Sequence, residues 1–356
     1  MTLRSCALAV AVALSLAGCS DGPSPVTATR VLEVAGLRAV VNAVALSPDG
    51  SLVVVGDMDG DLIAREVPAG AERWKVPVHP RGAARSIDGV AFSPDGSLLA
   101  TIGHGARTVE LWEAATGRLA AVLSIGQSRG SAFHPTERVL VVVGGTTIHL
   151  VDLERGEVVR TLPNAHQGDR IDAVAFSGDG RVLATTSDGG GLKLWNWPAL
   201  TLRGSVSMAN SLEAMAPVSL ALNRDGTRAA ANGILGQVHV MNVVKEREEC
   251  TFANTAQAPG HGLHGEMRYS LAFTEDGDWL FAPDTHDRGL RILHVPRGKA
   301  YPVIRSDGPF YKAVAIALPA SLVALTRPGD EQGRGPYGLE VWRFTPPTGT
   351  AVSSSR

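Results

Sequence analysis

The sequence predicts an all-β protein built from repeated antiparallel units, and residues 171–197 show the features that predict it. Apolar residues stand at alternate positions in the run 171–176, as expected when side chains alternate between the faces of a strand, and a second apolar run follows at 182–186. Asp179-Gly180 lies between these runs and is typical of a tight turn, because glycine adopts positive φ without a Cβ clash. A third run follows at 192–197, so the stretch is predicted to be a three-stranded meander.

The same turn recurs along the chain at intervals of 41 to 51 residues. Its seven copies begin at Ser47, Ser93, His134, Ser177, Asn223, Thr274 and Ala317. A period near 45 residues made of β-meanders predicts a β-propeller, because one blade alone cannot bury both of its faces. We therefore expect seven blades.

Each blade requires a fourth, outer strand. Six candidates follow the third strands, at 72–78, 118–125, 157–162, 201–208, 246–252 and 299–304. Blade seven ends at Phe344, before two prolines that cannot continue a strand. Its outer strand is predicted to be residues 29–35, so that both ends of the chain share one blade and the ring has no open sheet edge. The propeller is thus predicted to span residues 29–344, followed by a disordered polar tail at 345–356.

These repeats resemble the WD-repeat β-propeller family. Trp112, Trp195 and Trp342 fill the aromatic position of the third strand, and Asp152 fills the acidic position that follows it. The resemblance covers about residues 29–344, although three tryptophans in seven blades is fewer than a regular WD protein has.

The resemblance also implies a structural hydrogen-bonded set. In complete WD repeats a His, a Ser or Thr, an Asp and the Trp form a buried network. The repeat register assigns His264, Thr285 and Asp287 to this set in blade six. In blade four it assigns His166 and Ser187, with a glycine where the Asp would stand.

The first nineteen residues predict export and lipidation. Arg4 precedes an apolar run of eleven residues, 6–16, which is too short to span a bilayer and is typical of a secretion signal. Residues 16–19, Leu-Ala-Gly-Cys, resemble the lipobox of bacterial lipoproteins. The resemblance implies a signal peptide at 1–18 and acyl chains, palmitate among them, on Cys19. The alternative is an ordinary cleaved signal with a chance cysteine.

A linker at 19–28 would hold the folded body close to the membrane. Ser20, directly after Cys19, resembles the residue that permits export to the outer membrane in enterobacteria. We therefore expect an extracytoplasmic protein of the cell envelope, at the outer membrane facing the periplasm rather than at the inner membrane.

Composition excludes some classes of partner and site. The formal net charge is −2, whereas a nucleic-acid-binding protein would favour a strongly basic face. Three cysteines occur, without the spacing of a zinc site or a disulfide framework. Lone Cys250 is interpreted as a small buried residue rather than a reactive thiol.

Several short motifs suggest chemistry that the strand pattern does not support. Gly126–Gly130 matches a nucleophile elbow and residues 333–338 match a dinucleotide fingerprint, but both chemistries require a helix where strands are predicted. Residues 57–61 resemble a calcium loop without its final glutamate. Gly70–Trp74 resembles the docking element of quinone-cofactor propellers but occurs once. We predict no cofactor.

A metal site at His261, His264 and Glu266 is the strongest competing interpretation. The repeat register gives His264 a structural role instead, so no metal and no catalytic residue is predicted.

Long loops predict where a partner binds. They lie at 79–86, 209–217, 255–266 and 327–337, over blades five, six, seven and one, on the face shared by the loops between blades. The candidate partner face is formed by Arg85, His261, Arg288, Arg334 and Tyr337.

The sequence thus favours a non-enzymatic, lipid-anchored scaffold that binds protein partners at the cell envelope. The alternatives are an extracytoplasmic propeller enzyme, lactonase-like or quinoprotein-like, and an outer-membrane assembly factor. Fold alone does not decide among these functions.

Overall fold

A computed structural model gives the fold of the chain. It describes residues 26–78, 86–103, 107–207, 219–232, 237–252, 268–284, 289–305, 313–327 and 337–345. Seven antiparallel blades follow one another around a ring, as the repeat predicted. No helix in the described part of the chain is both long and apolar enough to cross a bilayer.

Strand β1, Ala28–Leu37, precedes blade one. Each of the first four blades then has four consecutive strands, paired in chain order from the channel outward. Blade one has β2 Val41–Leu46, β3 Leu52–Asp57, β4 Asp61–Glu66 and β5 Glu72–Pro77. Blade two has β6 Ile87–Phe92, β7 Leu98–Gly103, β8 Thr108–Glu113 and β9 Leu119–Ser124. Blade three has β10 Gly130–Phe133, β11 Val139–Gly144, β12 Thr147–Asp152 and β13 Glu157–Leu162. Blade four has β14 Ile171–Phe176, β15 Val182–Ser187, β16 Gly191–Asn196 and β17 Thr201–Ser207.

The last three blades continue this order around the ring. Blade five has β18 Ser219–Leu222, β19 Arg228–Asn232, β20 Val238–Asn242 and β21 Arg247–Phe252. Blade six has β22 Arg268–Tyr269, β23 Ala272–Phe273, β24 Trp279–Asp284, β25 Gly289–His294 and β26 Lys299–Arg305, with a 3-10 turn at Val295–Arg297. Blade seven has β27 Ala313–Ala317, β28 Leu322–Arg327 and β29 Tyr337–Phe344.

The innermost strand of blade six departs from the predicted single strand. It is divided into β22, which pairs in parallel with β27 of blade seven, and β23, which pairs with β24 of its own blade. Between them the Ser270 amide donates to the Val314 carbonyl at 3.1 Å. The backbone therefore crosses from one blade to the next, which alternation of apolar residues alone does not reveal.

The recurrent turn is held by its own side chains. In blade four the Ser177 hydroxyl donates to Asp179 Oδ1 at 2.6 Å, and the Val182 amide donates to Ser177 Oγ at 3.0 Å. Gly180 has a φ of 74°, the left-handed conformation that favours glycine. Ser47 with Asp49 and Thr274 with Asp276 repeat the 2.6 Å hydroxyl-to-carboxylate bond in blades one and six.

The hydrophobic core is divided into clusters between neighbouring blades. Val182 and Leu194 of blade four, for example, share one cluster with Leu222 and Met241 of blade five. Because each blade buries its faces against its neighbours, no blade is expected to be stable alone. The stability of each blade therefore depends on the neighbours that cover its faces.

The ring closes where the prediction placed the closure. Strand β1 pairs antiparallel with β29, from Ala28 opposite Phe344 to Leu37 opposite Tyr337, and supplies the fourth strand of blade seven. Leu32 is buried in the cluster between blades seven and one. The observed strand is longer than the predicted 29–35.

Shortening Leu32 tests this closure. Leu32→Ala is expected to lower the free energy of unfolding by about 2–5 kcal/mol, because it leaves a cavity at the seam. Leu202→Ala is the matched control, since Leu202 lies on outer strand β17 and is 55% exposed. That variant should cost less than about 0.5 kcal/mol. Urea unfolding of both proteins measures the difference, and equal costs would contradict a stabilising role for β1.

Candidate functional site

The propeller has two faces that the strands define. The innermost strands begin at the upper face, where Met58, in the turn between β3 and β4, donates its amide to the Val40 carbonyl at 2.9 Å. They end at the lower face, which carries the serine-aspartate turns. Because the loops between blades also lie on the upper face, this is the face on which the sequence predicted partner binding.

Three innermost strands contain an irregularity at the same position, near the upper face. The register shifts between Val41 and Ala43, between Ile87 and Gly89, and between Ile171 and Ala173. The residues left out of the ladder are Asn42, Asp88 and Asp172. A bulge of this kind redirects a side chain and often lies next to a functional site.

Two of the bulged residues, Asp88 and Asp172, line a cavity in the central channel. Its volume is about 230 Å³, and innermost segments of all seven blades contribute to its wall. Asp88, Arg129 and Asp172, from three consecutive blades, bring the charged groups to that wall. Arg129 directly precedes β10 and occupies in blade three the place that Asp88 and Asp172 occupy in their blades.

Neighbouring side chains hold the two carboxylates in place. The Ser86 hydroxyl donates to Asp88 Oδ1 at 2.6 Å. Arg170 Nε donates to Asp172 Oδ1 at 2.9 Å, and the Asp172 side chain is only 7% exposed. Asp188, in the next loop of blade four, accepts from the Arg170 amide at 3.0 Å. The mouth of the channel is therefore a fixed polar surface that can bind a ligand carrying charge.

These channel residues belong to none of the motifs from which a site was predicted. The signal that could have found them is a polar residue four positions before the last residue of the innermost strand, which recurs as Asn42, Asp88, Arg129 and Asp172 in the first four blades. The long loops instead predicted a binding face over blades five, six, seven and one.

Most of the predicted partner face lies outside the described residues. This is true of Arg85, His261, Arg288 and Arg334, while Tyr337 is described as the half-buried first residue of β29. Cys19, the signal at 1–18, the tail at 346–356 and the blade-six set of His264, Thr285 and Asp287 also lie outside them. Within the described ranges, no three His, Cys, Asp or Glu side chains form a group that could hold a metal.

The structural set of blade four differs from the prediction in one residue. His166 Nε2 lies 2.8 Å from Thr185 Oγ1, and Trp195 Nε1 donates to the same hydroxyl at 2.9 Å. The predicted Ser187 is buried two residues further along β15, and its hydroxyl has no partner among the described residues. Burial lowers the pKa of His166 to about 4, and the positive charge of Lys193 adds to this effect while Asp188 opposes it. His166 is therefore neutral at pH 7 and acts as a structural hydrogen-bonding group.

Blade two uses a related arrangement. Trp112 Nε1 donates to Thr101 Oγ1 at 3.1 Å, and the Thr101 hydroxyl donates to the buried Glu110 at 3.0 Å. Blades two and four thus each have a hydrogen bond from a tryptophan to a threonine. The group that also contacts the threonine is Glu110 in blade two and His166 in blade four. These polar groups face the interior between blades, so they stabilise the ring rather than bind a ligand.

Three of the motifs that suggested chemistry have structural roles, whereas residues 333–336 of the dinucleotide-like motif lie outside the described residues. Ser128, in the elbow-like motif, donates to the Gly126 carbonyl at 3.3 Å, and strand β10 begins two residues later at Gly130. Trp74 packs between blades and donates to the Ala114 carbonyl at 2.9 Å. In the calcium-like segment, Asp57 Oδ1 accepts from the backbone amides of Asp59 and Asp61 at 3.0 and 2.8 Å.

Cys250 lies half-buried in β21, as the interpretation of a structural cysteine required. Burial raises the pKa of its thiol to about 11, and the charges of Glu249 and Glu248 contribute to the increase. The thiolate is therefore a minor form at neutral pH, which disfavours nucleophilic chemistry at this residue.

Comparison with known proteins supports the repeat assignment. The family "WD domain, G-beta repeat" matches residues 31–63 and 156–196. Each match begins in an outer strand and continues into the first three strands of the next blade. The sequence repeat is thus offset from the blade by one strand, which is the arrangement that lets β1 complete blade seven.

Relatives with WD repeats align with parts of the chain. The fission yeast Target of rapamycin complex subunit wat1 is 25% identical over 112 residues, 31% of this chain and 36% of that protein. A WD repeat-containing protein of Synechocystis is 31% identical over 93 residues, 26% of this chain and 25% of that protein. WD repeat-containing protein SL1-17 of Schistosoma mansoni is 29% identical over 154 residues, 43% and 45% of the two chains. The chain spans less than half the length of each of these relatives.

The hydroxyl of Thr185 is expected to be structural and that of Ser187 dispensable. Thr185→Val leaves Trp195 Nε1 without its acceptor and should lower the free energy of unfolding by about 1–3 kcal/mol. Ser187→Ala removes a hydroxyl that has no partner among the described residues and should change stability far less. Thermal and urea unfolding of both variants measure the two costs. A larger cost for Ser187→Ala would restore the predicted assignment.

Proposed function

We propose that this protein is a lipid-anchored, non-enzymatic scaffold of the bacterial cell envelope that binds a protein partner on its upper face. The observation that carries the proposal is a closed ring of WD-type repeats whose upper channel mouth is a fixed polar surface. WD-type propellers typically bind proteins, and a rigid ring with variable loops is suited to that task.

The path of the first strand supports an orientation relative to the membrane. The chain enters the ring at the lower face, where Val26 is buried and the Thr345 amide donates to the Thr27 carbonyl at 2.9 Å. Cys19 is seven residues before Val26, a length of at most about 25 Å when fully extended. A lipid on Cys19 would therefore hold the lower face close to the bilayer and leave the upper face accessible.

The structural roles of the motifs favour a scaffold over an enzyme. Trp74, the tryptophan of the quinoprotein-like motif, packs between blades one and two and donates to the Ala114 carbonyl. Ser128 lies in a tight turn. The lactonase-like alternative depends on His261 and His264, so metal analysis of the purified protein tests it directly. An outer-membrane assembly factor is a scaffold with a particular partner, which identification of that partner would reveal.

Crosslinking in intact cells tests the proposed face. A photo-crosslinking amino acid at Met58, 48% exposed on the upper face, is expected to capture a protein partner. The matched control is Val244, 67% exposed in the turn between β20 and β21 on the lower face. The Val244 position should capture lipid or nothing, because the orientation turns it towards the bilayer.

Two outcomes would contradict the proposal in different ways. Equal protein capture from both positions, or capture from Val244 alone, would contradict the assignment of the upper face. Palmitate labelling of wild type and of Cys19→Ser in the same cells tests the anchor separately. Absence of the label from wild type would contradict the lipid anchor. The crosslinking result would still decide whether the upper face binds a protein.

A further inference from the structure

The charged side chains that line the channel cavity all come from one side of the ring, although apolar residues of the same blades, such as Val90 and Val174, line it too. Blades two, three and four supply its charged side chains, Asp88, Arg129 and Asp172. The remaining blades supply uncharged groups among the described residues. These are Ala43, Val44, Ser219, Leu220, Ser270, Leu271 and Val314.

The charged wall alternates in sign around the ring. Arg129, just before the innermost strand of blade three, lies between Asp88 of blade two and Asp172 of blade four, and Asp172 also accepts from Arg170 Nε at 2.9 Å. A guanidinium is suited to a carboxylate, because its planar fork can donate two parallel hydrogen bonds. A carboxylate oxygen can accept a hydrogen bond from an ammonium and carries the opposite charge. Such a wall complements a ligand that carries both charges close together.

The opposite wall complements an apolar group. Leu271 and Val314 also pack in the hydrophobic clusters between blades, so that only 8% and 2% of these residues is exposed, and Leu220 and Val44 line the cavity beside them. An apolar side chain placed here would be removed from water, which stabilises binding in proportion to the area buried. The two walls therefore recognise different parts of one amphipathic molecule.

The size of the cavity restricts the ligand further. Its volume of about 230 Å³ is below the range of roughly 300–1,000 Å³ that is common for drug-sized ligands. The space is larger than the roughly 30 Å³ that one water occupies in the liquid. A molecule of about ten non-hydrogen atoms is the appropriate scale.

We propose that the channel mouth is a binding site for a free α-amino acid with an apolar side chain. Arg129 holds the ligand's carboxylate, Asp88 and Asp172 accept from its ammonium, and Leu220, Leu271 and Val314 surround its side chain. This site is independent of the proposed scaffold function, because a small ligand and a protein partner are measured separately.

The test uses L-leucine and two analogues that each lack one charge. Leucinamide has no carboxylate, and 4-methylpentanoate has no ammonium. Calorimetric titration of the purified, folded protein is expected to show leucine binding at least tenfold tighter than either analogue. Glutamate is a fourth probe, and it should bind more weakly than leucine because its side chain would face the apolar wall.

Variants of the charged wall connect each residue with one group of the ligand. Arg129→Gln should weaken leucine binding at least tenfold and leave leucinamide binding unchanged, because the missing guanidinium no longer distinguishes them. Asp88→Asn should weaken leucine binding and leave the binding of 4-methylpentanoate, which has no ammonium, unchanged. Arg129→Lys retains the positive charge and is expected to retain most of the leucine affinity. Glu154→Gln is the control for Asp88→Asn, since Glu154 is 73% exposed in the turn between β12 and β13 on the lower face and the substitution removes the same negative charge.

Circular dichroism of each variant confirms that the ring is folded before binding is measured. The proposal is overturned if leucine does not bind wild type, or if leucine and both analogues bind equally. It is also overturned if Arg129→Gln lowers the affinity for leucine and leucinamide by the same factor. Loss of binding in Glu154→Gln would show that net charge, and not the channel mouth, governs affinity.

Discussion

The pairing of β1 with β29 is the interaction on which the rest of the structure depends. It joins the start of the propeller to its last blade, and it is held by side chains as well as by the sheet. Glu340 is 3% exposed, and Arg30 and Arg327 each lie 3.3 Å from its Oε1. Glu33 bridges the same two arginines at 3.0 and 2.9 Å. A buried carboxylate is costly unless it is paired, so this network links the stability of the seam to all four residues.

Closure determines what the channel mouth can do. Because each blade packs against two neighbours, the innermost strands hold fixed positions around the axis, and bulged residues of different blades face one cavity. Opening the ring would separate blade seven from blade one and change the width of the mouth. The proposed binding site and the proposed partner face thus both require the seam.

The fold was predictable because its determinants are local and repeated. Ser177, Asp179 and Gly180 specify a turn by their own hydrogen bonds and backbone preference, and each copy of the turn marks a blade. The closing strand was predictable from the number of strands in each blade. Blade seven has only three strands before the chain leaves it at Phe344, so its fourth strand must come from elsewhere in the chain. The division between β22 and β23 was not predictable, because it depends on backbone pairing with the neighbouring blade.

The site was less predictable because its geometry depends on register. The bulges at Asn42, Asp88 and Asp172 are visible only when both strands of a pair are known. The same limit applies to Ser187 and Thr185, because both are hydroxyl residues on one face of β15 and the sequence alone does not show which of them meets His166. The loops predicted to bind a partner lie mostly outside the described residues.

Native-state hydrogen exchange is the most direct test of the seam. If β1 closes the ring, the amides of β1 that bond to β29 open only when blades seven and one unfold. Their opening free energy should then agree with that of β28 and β29 amides within about 1 kcal/mol. Exchange of β1 at the rate of a frayed terminus, while β28 and β29 remain protected, would contradict closure by this strand.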